Sequence, residues 1–437
     1  MEPWPPRLPE GGTLLLAGAA VPACLVDGAP PEARPDRDGL LRLDVAIDGG
    51  RIAAIRAASS PAGQADIDLA GGQVWPCFVD LHTHLDKGHI WPRAENPDGT
   101  FDGAINAVLR DRETNWSAED VAARMDWSLR ASYAHGTAAI RTHIDSQQPQ
   151  AAVSWPVFAA MRERWRGRIE LQAVTIIMVE NLAGPYGDEL ADLVARHGGL
   201  LGGVAAQSPA LDRHLDRVFA LAAVRGLDLD FHADESDNPQ GMGLRAIAEA
   251  KLRHRFAGKV TVGHCCTLAL QAPEEVDRTL DLVAQAGVSI VSLPMCNLYL
   301  QDRAGGRTPR WRGVTLLHEM AARGIPVSVA SDNCRDPFYG YGDHDGLEVF
   351  TQAARIAQLD RPVGAWPAAV TRTPADVMGL AQHGRIAVGG PADLVLFDAR
   401  GYSELLSRPQ ADRLVLRNGR PIDTRLPSYR ELDRLFA

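Results

Sequence analysis

Apolar and polar positions follow two textures along the chain. Near the N-terminus, short apolar runs alternate with polar residues and break at glycine pairs, as in "GTLLLAGAAV", "LLRLDVAIDGGRIAAI" and "ADIDLAGGQVWP". Alternation of period two around Gly-Gly predicts β-hairpins. The same texture returns near the C-terminus in "GRIAVGGPADLVLFDA" and "DRLVLRNGRPID". Between about residues 74 and 382 the rhythm changes, and strand-like runs alternate with helix-like runs rich in Ala, Arg and Glu. The strand-like runs are "FVDLHTH", "GTAAIRTHID", "IELQAVTII", "LGGVAA", "LDLDFHADES", "VTVGHCC", "VSIVSLP" and "IPVSVASDN". Such a βα rhythm predicts a parallel sheet, and the count approaches that of a (β/α)8 barrel. The expected fold is therefore α/β. A TIM-like (β/α)8 barrel over residues 74–382 is inserted into a small β-sandwich domain built from residues 1–73 and 383–437.

Several of these runs share a design. The strand is apolar and its C-terminal end carries groups able to bind a metal. The first run ends in His82 and His84, the next in His143 and Asp145. Later runs end in His232, Asp234 and Glu235, then His264, then Asp332. In a barrel the C-terminal strand ends converge on one face, so residues distant in sequence meet there. His82 and His84 stand two apart, and alternate side chains on a strand point the same way. Both imidazoles can then reach one ion, with His232 and Asp332 completing a site free of thiolate. Imidazole nitrogen and carboxylate oxygen suit Zn²⁺ or Fe²⁺. An open position would hold a water that the ion makes nucleophilic near neutral pH. Glu235, three residues past His232, is placed to move protons.

Composition narrows the class without naming it. The 437 residues are 46% hydrophobic and 23% charged, ordinary for a soluble enzyme of one large barrel plus an appendage. A net charge of -10 argues against nucleic acid or an anionic membrane as the main partner. The six cysteines form no C-x-x-C pair, and Cys265 and Cys266 read as packing residues. Scattered thiols, with no signal peptide and no membrane-spanning run, predict a cytoplasmic location. A homo-oligomer is compatible with all of this.

The motifs now resemble a known family. "DLHTHLDK", "FHADESD", "VTVGHCC" and "VASDN" look like the amidohydrolase superfamily. "RTHID", "NLYLQDR" followed by "RWRGV", and "SDNCRDPFYGYG" look like its cytosine deaminase-like group. The N-isopropylammelide hydrolases are similar too, notably through "HTHLDK". The resemblance covers nearly the whole chain. It implies a single divalent ion, Zn²⁺ or Fe²⁺, held by His82, His84, His232 and Asp332. It implies that His264 and Asp332 orient the nucleophilic water and that Glu235 shuttles protons. Binuclear relatives carry a carboxylated lysine at the end of the fourth strand. The stretch read as that strand, "ELQAVTIIMVENL", has none, and the alternative zinc deaminase signature is absent.

The recognition positions depart from the cytosine deaminase pattern. Met178 falls where that group has a glutamine gripping the pyrimidine, and methionine cannot donate two hydrogen bonds. Asn333 replaces an aspartate, Phe338 a tryptophan and Lys87 a threonine. These four, with Asp237, are the expected substrate-binding residues, and His143 and Asp145 the expected support behind them. The expected activity is hydrolytic deamination of an aminated heterocycle, either cytosine or a related pyrimidine or pterin-type base. The alternatives are release of an alkylamine from a triazine, opening of a cyclic amide, or a non-catalytic metal-binding scaffold. An intact Glu235 and His264 argue against the last.

Overall fold

The computed structural model describes residues 4–6, 12–58, 66–408 and 412–436. Contacts divide the chain into two compact units. One comprises residues 1–80, 130–139 and 345–426, the other residues 81–129, 140–344 and 427–437.

The first unit contains two four-stranded sheets. One orders the strands Arg51–Ala57, Leu40–Asp48, Thr13–Pro22 and Ile67–Asp68. The other orders Arg420–Pro421, Arg413–Arg417, Leu394–Phe397 and Val74–Pro76. The glycine pair read as a turn is one. Gly49 and Gly50 have φ of 55° and 82° and join antiparallel strands. Asn418 and Gly419, at 49° and 70°, do the same in the second sheet. Positive φ at both central residues gives the turn whose twist matches a hairpin. Alternate residues of both sheets, among them Leu16, Leu43, Val45, Leu394, Leu396 and Leu416, share one apolar core. Both chain ends therefore build one β-sandwich, as the hydrophobic pattern predicts.

The site is built on eight further strands: β1 Phe78–Thr83, β2 Thr137–Asp145, β3 Glu170–Ile176, β4 Leu201–Ala205, β5 Leu229–Ala233, β6 Val260–His264, β7 Ser289–Ser292 and β8 Val327–Val329. β4 to β8 form a parallel sheet in sequential order, and β1 to β3 form a second sheet. Parallel bridges Val174–Leu200 and Met178–Val204 join β3 to β4. A parallel bridge between Thr83 and Asp332 joins the end of β1 to that of β8, with the Asp332 amide donating to the His82 carbonyl at 2.9 Å. The strands thus run once around, in the α/β barrel class expected. Every residue of β5 and β6 is buried, as in a sheet covered on both faces.

The helices follow their sequence signals. Leu211–Arg225 buries Leu211, Leu215, Val218, Phe219 and Ala222, one stripe at helical spacing, and stops at left-handed Gly226. Pro273–Ala286 opens on proline and ends at Gly287 in the same conformation. No helix among the described residues is long and apolar enough to cross a membrane.

One strand assignment needs correction. The stretch "ELQAVTII", read as the fourth strand, is the third, because only β1 and β2 precede it and the Gly-rich strand "LGGVA" follows as the fourth. The end of the true fourth strand, Ala205-Ala206-Gln207, also lacks a lysine, so the one-ion reading keeps its chemical basis.

The glycines of β4 are required by close approach. A Cβ on Gly202 would lie 1.7 Å from the carbonyl oxygen of Asp230 on β5, and one on Gly203 2.1 Å from that of Ile177. Backbone cannot step aside as a flexible side chain can. Gly202→Ala is expected to destabilise the barrel by about 3 kcal/mol or more, at or beyond the upper end of overpacking effects. The check is a melting temperature several degrees below the parent's, by calorimetry.

Candidate active site

The polar strand ends converge as the pattern predicts, and all lie within the second unit. His82, His84, His232, His264 and Asp332 are each at least nine-tenths buried. The ligating atoms of His82, His84 and His232 lie within 4.8 Å of one another, as do those of His82, His264 and Asp332. The Asp332 Oδ1 sits 3.2 Å from His84 Nε2 and 3.5 Å from His82 Nε2. His84 Nε2 faces His232 Nε2 at 3.4 Å.

Backbone geometry aims these groups. His264 and Asp332 have φ of 71° and 60°, and such left-handed residues turn the chain sharply as a strand ends. Asp234, also left-handed, turns elsewhere. Its carboxylate accepts from the amides of Gly243 and Leu244, both at 2.8 Å, and so anchors the start of the helix Gly243–Arg253. Of the three polar residues ending β5, His232 joins the cluster and Glu235 flanks it.

Electrostatics favour a cation at the centre. Burial holds the His84, His143 and His232 imidazoles well below their ordinary range, with Lys87 adding to this at His84 and His82 at the other two. Neutral imidazole is the ligating form. Burial works against the charged form of Asp332, yet the imidazoles of His82, His84 and His264 outweigh it and hold its carboxyl well below the usual carboxylate range. The Nδ1 atoms of His84 and His232 are buried without a hydrogen-bond partner. With both Nε2 atoms turned to a shared centre beside the Asp332 oxygen, lone pairs there would repel one another unless a proton or a cation lies between. The donor set fits a divalent ion with N and O ligands.

Next to the cluster, His264 Nδ1 lies 3.2 Å from Glu235 Oε1. Burial alone would lower the His264 pKa, but the Glu235 carboxylate reverses that and raises it. The Asn297 amide nitrogen lies 3.1 Å from Glu235 Oε1 and 3.1 Å from His264 Nδ1. Asn297 donates to the carboxylate, which fixes the face Glu235 presents. This residue escaped the sequence reading although "NLYLQDR" was singled out. Its spacing carries no chemical signal, and only the packing of the short helix Pro294–Leu300 brings it to Glu235.

A cavity of about 420 Å³ opens onto the cluster, within the ~300–1,000 Å³ range of ligand pockets. A larger depression of about 640 Å³ in the first unit is lined by charged surface residues such as Arg400, Glu404 and Asp412, and no such chemistry converges there. The floor of the smaller cavity carries His84, His232, Glu235, His264 and Asp332. Its walls include Phe101, Val108, Ile177, Met178, Val204 and Phe338.

Most expected substrate-facing residues line it. Lys87, Met178, Asn333 and Phe338 do, and the Lys87 ammonium sits 4.5 Å from the Phe338 ring centre. Asn333 donates from Nδ2 to Asp336 Oδ2 at 2.7 Å. Burial raises the Asp336 carboxyl to about 6. Asp237 is exposed and does not line the cavity, while its neighbours Ser236 and Asn238 do. His143 packs its ring 3.9 Å from that of His82, behind the cluster. Asp145 lines the cavity and pairs with Arg112 Nη1 at 2.7 Å, a partner the sequence did not suggest. Asp86 is buried and accepts from the Asp145 amide at 2.8 Å, so it ties the end of β2 to the β1 loop.

A barrel with a buried His and Asp cluster at its strand ends, and an acid beside it, has the groups that a metal-assisted hydrolase needs. The chain belongs to the amidohydrolase family, whose model matches residues 98–423. It is a hydrolase acting on C–N bonds, of the deaminase type. A pterin deaminase of Rhizobium rhizogenes (strain K84) is 54% identical over 431 residues, 98% of each chain. An N-isopropylammelide isopropyl amidohydrolase of Pseudomonas sp. (strain ADP) is 27% identical, over 87% of this chain and 93% of that one. The crystal structure of 5-methylcytosine deaminase from Klebsiella pneumoniae with 5-fluorocytosine superposes with a TM-score of 0.78 at 25% identity, covering 95% and 98% of the two chains.

If the cluster holds the ion, replacing His82 and His84 together with alanine removes two ligands. The double variant is expected to lose one metal equivalent per chain and all turnover. Elemental analysis beside an ammonia-release assay reads both, and unchanged metal content with full activity would contradict the assignment.

Proposed function

We propose that the protein hydrolytically deaminates a pterin-type base, exchanging an exocyclic amine for oxygen and releasing ammonia. The observation that carries this reading is the broad apolar wall of the cavity, with Met178 set among Ile177, Val204 and Phe338. Such a wall suits the face of a bicyclic ring and offers no paired donor to a pyrimidine edge. The full-length likeness to a pterin deaminase supports it. The substrate is then a small heterocycle and not a nucleic acid, and the setting is cytoplasmic. The six cysteines, none in a disulfide, suit that setting. The same reading keeps residues 74–382 as the catalytic domain and residues 1–73 with 383–437 as a β-domain.

His82, His84, His232 and Asp332 would hold one divalent ion, Zn²⁺ or Fe²⁺. When bound, that ion supplies the Lewis acidity that makes water a nucleophile near pH 7. Glu235 takes one proton from the attacking water and donates it to the ring nitrogen, which accepts the electrons displaced from the attacked carbon. It then carries the second proton of that water to the amine, which leaves as ammonia while the oxygen stays on the carbon. His264 Nε2, buried and without a hydrogen-bond partner, faces the oxygen that becomes negative during attack. Asn297 keeps Glu235 in reach of both atoms it serves. Phe338 and Met178 hold the ring between them, and Lys87 and Asn333 meet its polar rim. The apolar wall would also take an alkyl group on the amine, such as the isopropyl group named for the N-isopropylammelide hydrolases.

Glu235→Gln keeps size but cannot carry a proton both ways. It is expected to retain its metal and lose ~10²–10⁴ in kcat. Activity within a few-fold of the parent would assign proton transfer to another group.

Substrate choice is the decisive measurement. Ammonia release is expected to be fastest with pterin and slow with cytosine, with no alkylamine released from N-alkylated triazines. Met178→Gln restores an amide to the wall and should improve kcat/KM for cytosine, relative to pterin, by roughly ten- to a hundredfold, the effect of about 1–3 kcal/mol. Efficient turnover of cytosine by the parent, or alkylamine as the main product, would overturn the pterin reading.

A further inference from the structure

A second cluster of ligating side chains lies apart from the first. His89, Cys334 and His344 are buried, with 1%, 1% and 4% of their surface exposed. One ligating atom from each lies within 4.8 Å of the other two. His89 has no hydrogen-bond partner at either ring nitrogen. A buried imidazole with neither nitrogen satisfied is costly, and nothing assigned to the catalytic cluster accounts for it. The surroundings are closed and aromatic. Trp127 stands edge-on to His89 with ring centres 4.2 Å apart, and Tyr429 stacks on Trp127 at 4.8 Å.

We propose that His89, Cys334 and His344 form a second metal site that takes a borderline-soft divalent cation such as Zn²⁺. Two imidazoles and a thiolate are ligands that such ions favour, and three protein ligands leave the fourth corner of a tetrahedron to water. With metal–nitrogen bonds of about 2.0 Å and a metal–sulfur bond of about 2.3 Å, tetrahedral ligand atoms sit roughly 3.3–3.8 Å apart. Separations within 4.8 Å therefore close to that geometry with shifts of at most about 1 Å per ligand atom. Binding releases the thiol proton to solvent and leaves the thiolate on the ion. Two guanidiniums act on His89, those of Arg335 and Arg124. Both are engaged, Arg335 over the Tyr429 ring at 4.4 Å and Arg124 with Asp120 at 2.7 Å.

The placement suggests what the ion does. His89 follows His84 on the loop after β1, and Cys334 follows Asp332 after β8. The His89 amide already donates to the Cys334 carbonyl at 3.0 Å, and the Trp91 amide to that of Arg335 at 2.9 Å. An ion here would clamp the two loops that carry His84 and Asp332 of the catalytic cluster and the pocket residues Asn333 and Phe338. This proposal does not rest on the substrate reading or on the first ion.

The experiment uses the full chain loaded first with zinc and then with cobalt. Elemental analysis should find two zinc equivalents per chain. The cobalt form should show a thiolate-to-cobalt charge-transfer band in the near ultraviolet, which the sulfur-free His82, His84, His232 and Asp332 set cannot give. Cys334→Ser should lose the band and one equivalent while the other remains. His89→Gln is the second variant, read by the same band, should Cys334→Ser fail to fold. The His82 and His84 double variant should keep the band, so loss of the first ion and loss of the second are separable. A single equivalent with no thiolate band in the parent, or a band undiminished in Cys334→Ser, overturns the proposal.

Discussion

The catalytic end of this barrel depends on one electrostatic condition. A carboxylate, Asp332, is buried among the imidazoles of His82, His84 and His264, which together hold it ionised against its own burial. Left alone, such a group is expensive, and breaking its pairing costs several kcal/mol. It is tolerable when hydrogen bonds and imidazole dipoles surround it, and favourable when a cation completes the set. The rest follows from supplying that environment. β1 and β8 meet through Thr83 and Asp332, the left-handed residues aim the strand ends inward, and Asp234 is spent on a helix terminus to leave His232 clear.

Below the site the same economy recurs. Arg141 on β2 donates to Asp230 on β5 at 2.8 Å and to Gln172 on β3 at 3.0 and 3.1 Å. This buried network spans non-adjacent strands inside the barrel, where apolar side chains would pack but not specify which strands face each other. It lies on strands that carry the cluster above.

Much of the fold and the centre of the site was legible because both rest on strong local signals. Alternation and glycine-containing pairs mark hairpins such as Asp48-Gly49-Gly50-Arg51, since glycine takes positive φ without strain, and asparagine does so beside it at Asn418-Gly419. Strand-end histidines mark the cluster because a barrel makes strand ends converge. What the sequence hid depends on tertiary approach. Asn297 reaches Glu235 only through the packing of a seven-residue helix. Arg112 reaches Asp145 from the helix Phe101–Asn115, whose polar positions look like ordinary surface. Asp237 shows the converse error. It sits in a strong motif, but the chain turns after Glu235 and leaves it in solvent. The strand number slipped at "ELQAVTII" although "LGGVAA" was itself read as a strand, because a place in the barrel is fixed by pairing and not by the pattern of any one run.

The order in which the ligands enter the chain has a consequence during synthesis. His82 and His84 emerge from the ribosome early, on a strand whose partner β8 is made last. Until residue 232 appears, the nascent chain carries only the two histidines of the candidate set, and the carboxylate and the closed barrel wait for residue 332. Premature capture of copper or nickel at that half-site would be favoured by affinity alone. The bridge from Thr83 to Asp332, and the Asp332 amide bond to His82, make ring closure and completion of the ligand set a single event. In the proposed one-ion site, the set that selects the metal is thus complete only in the closed barrel.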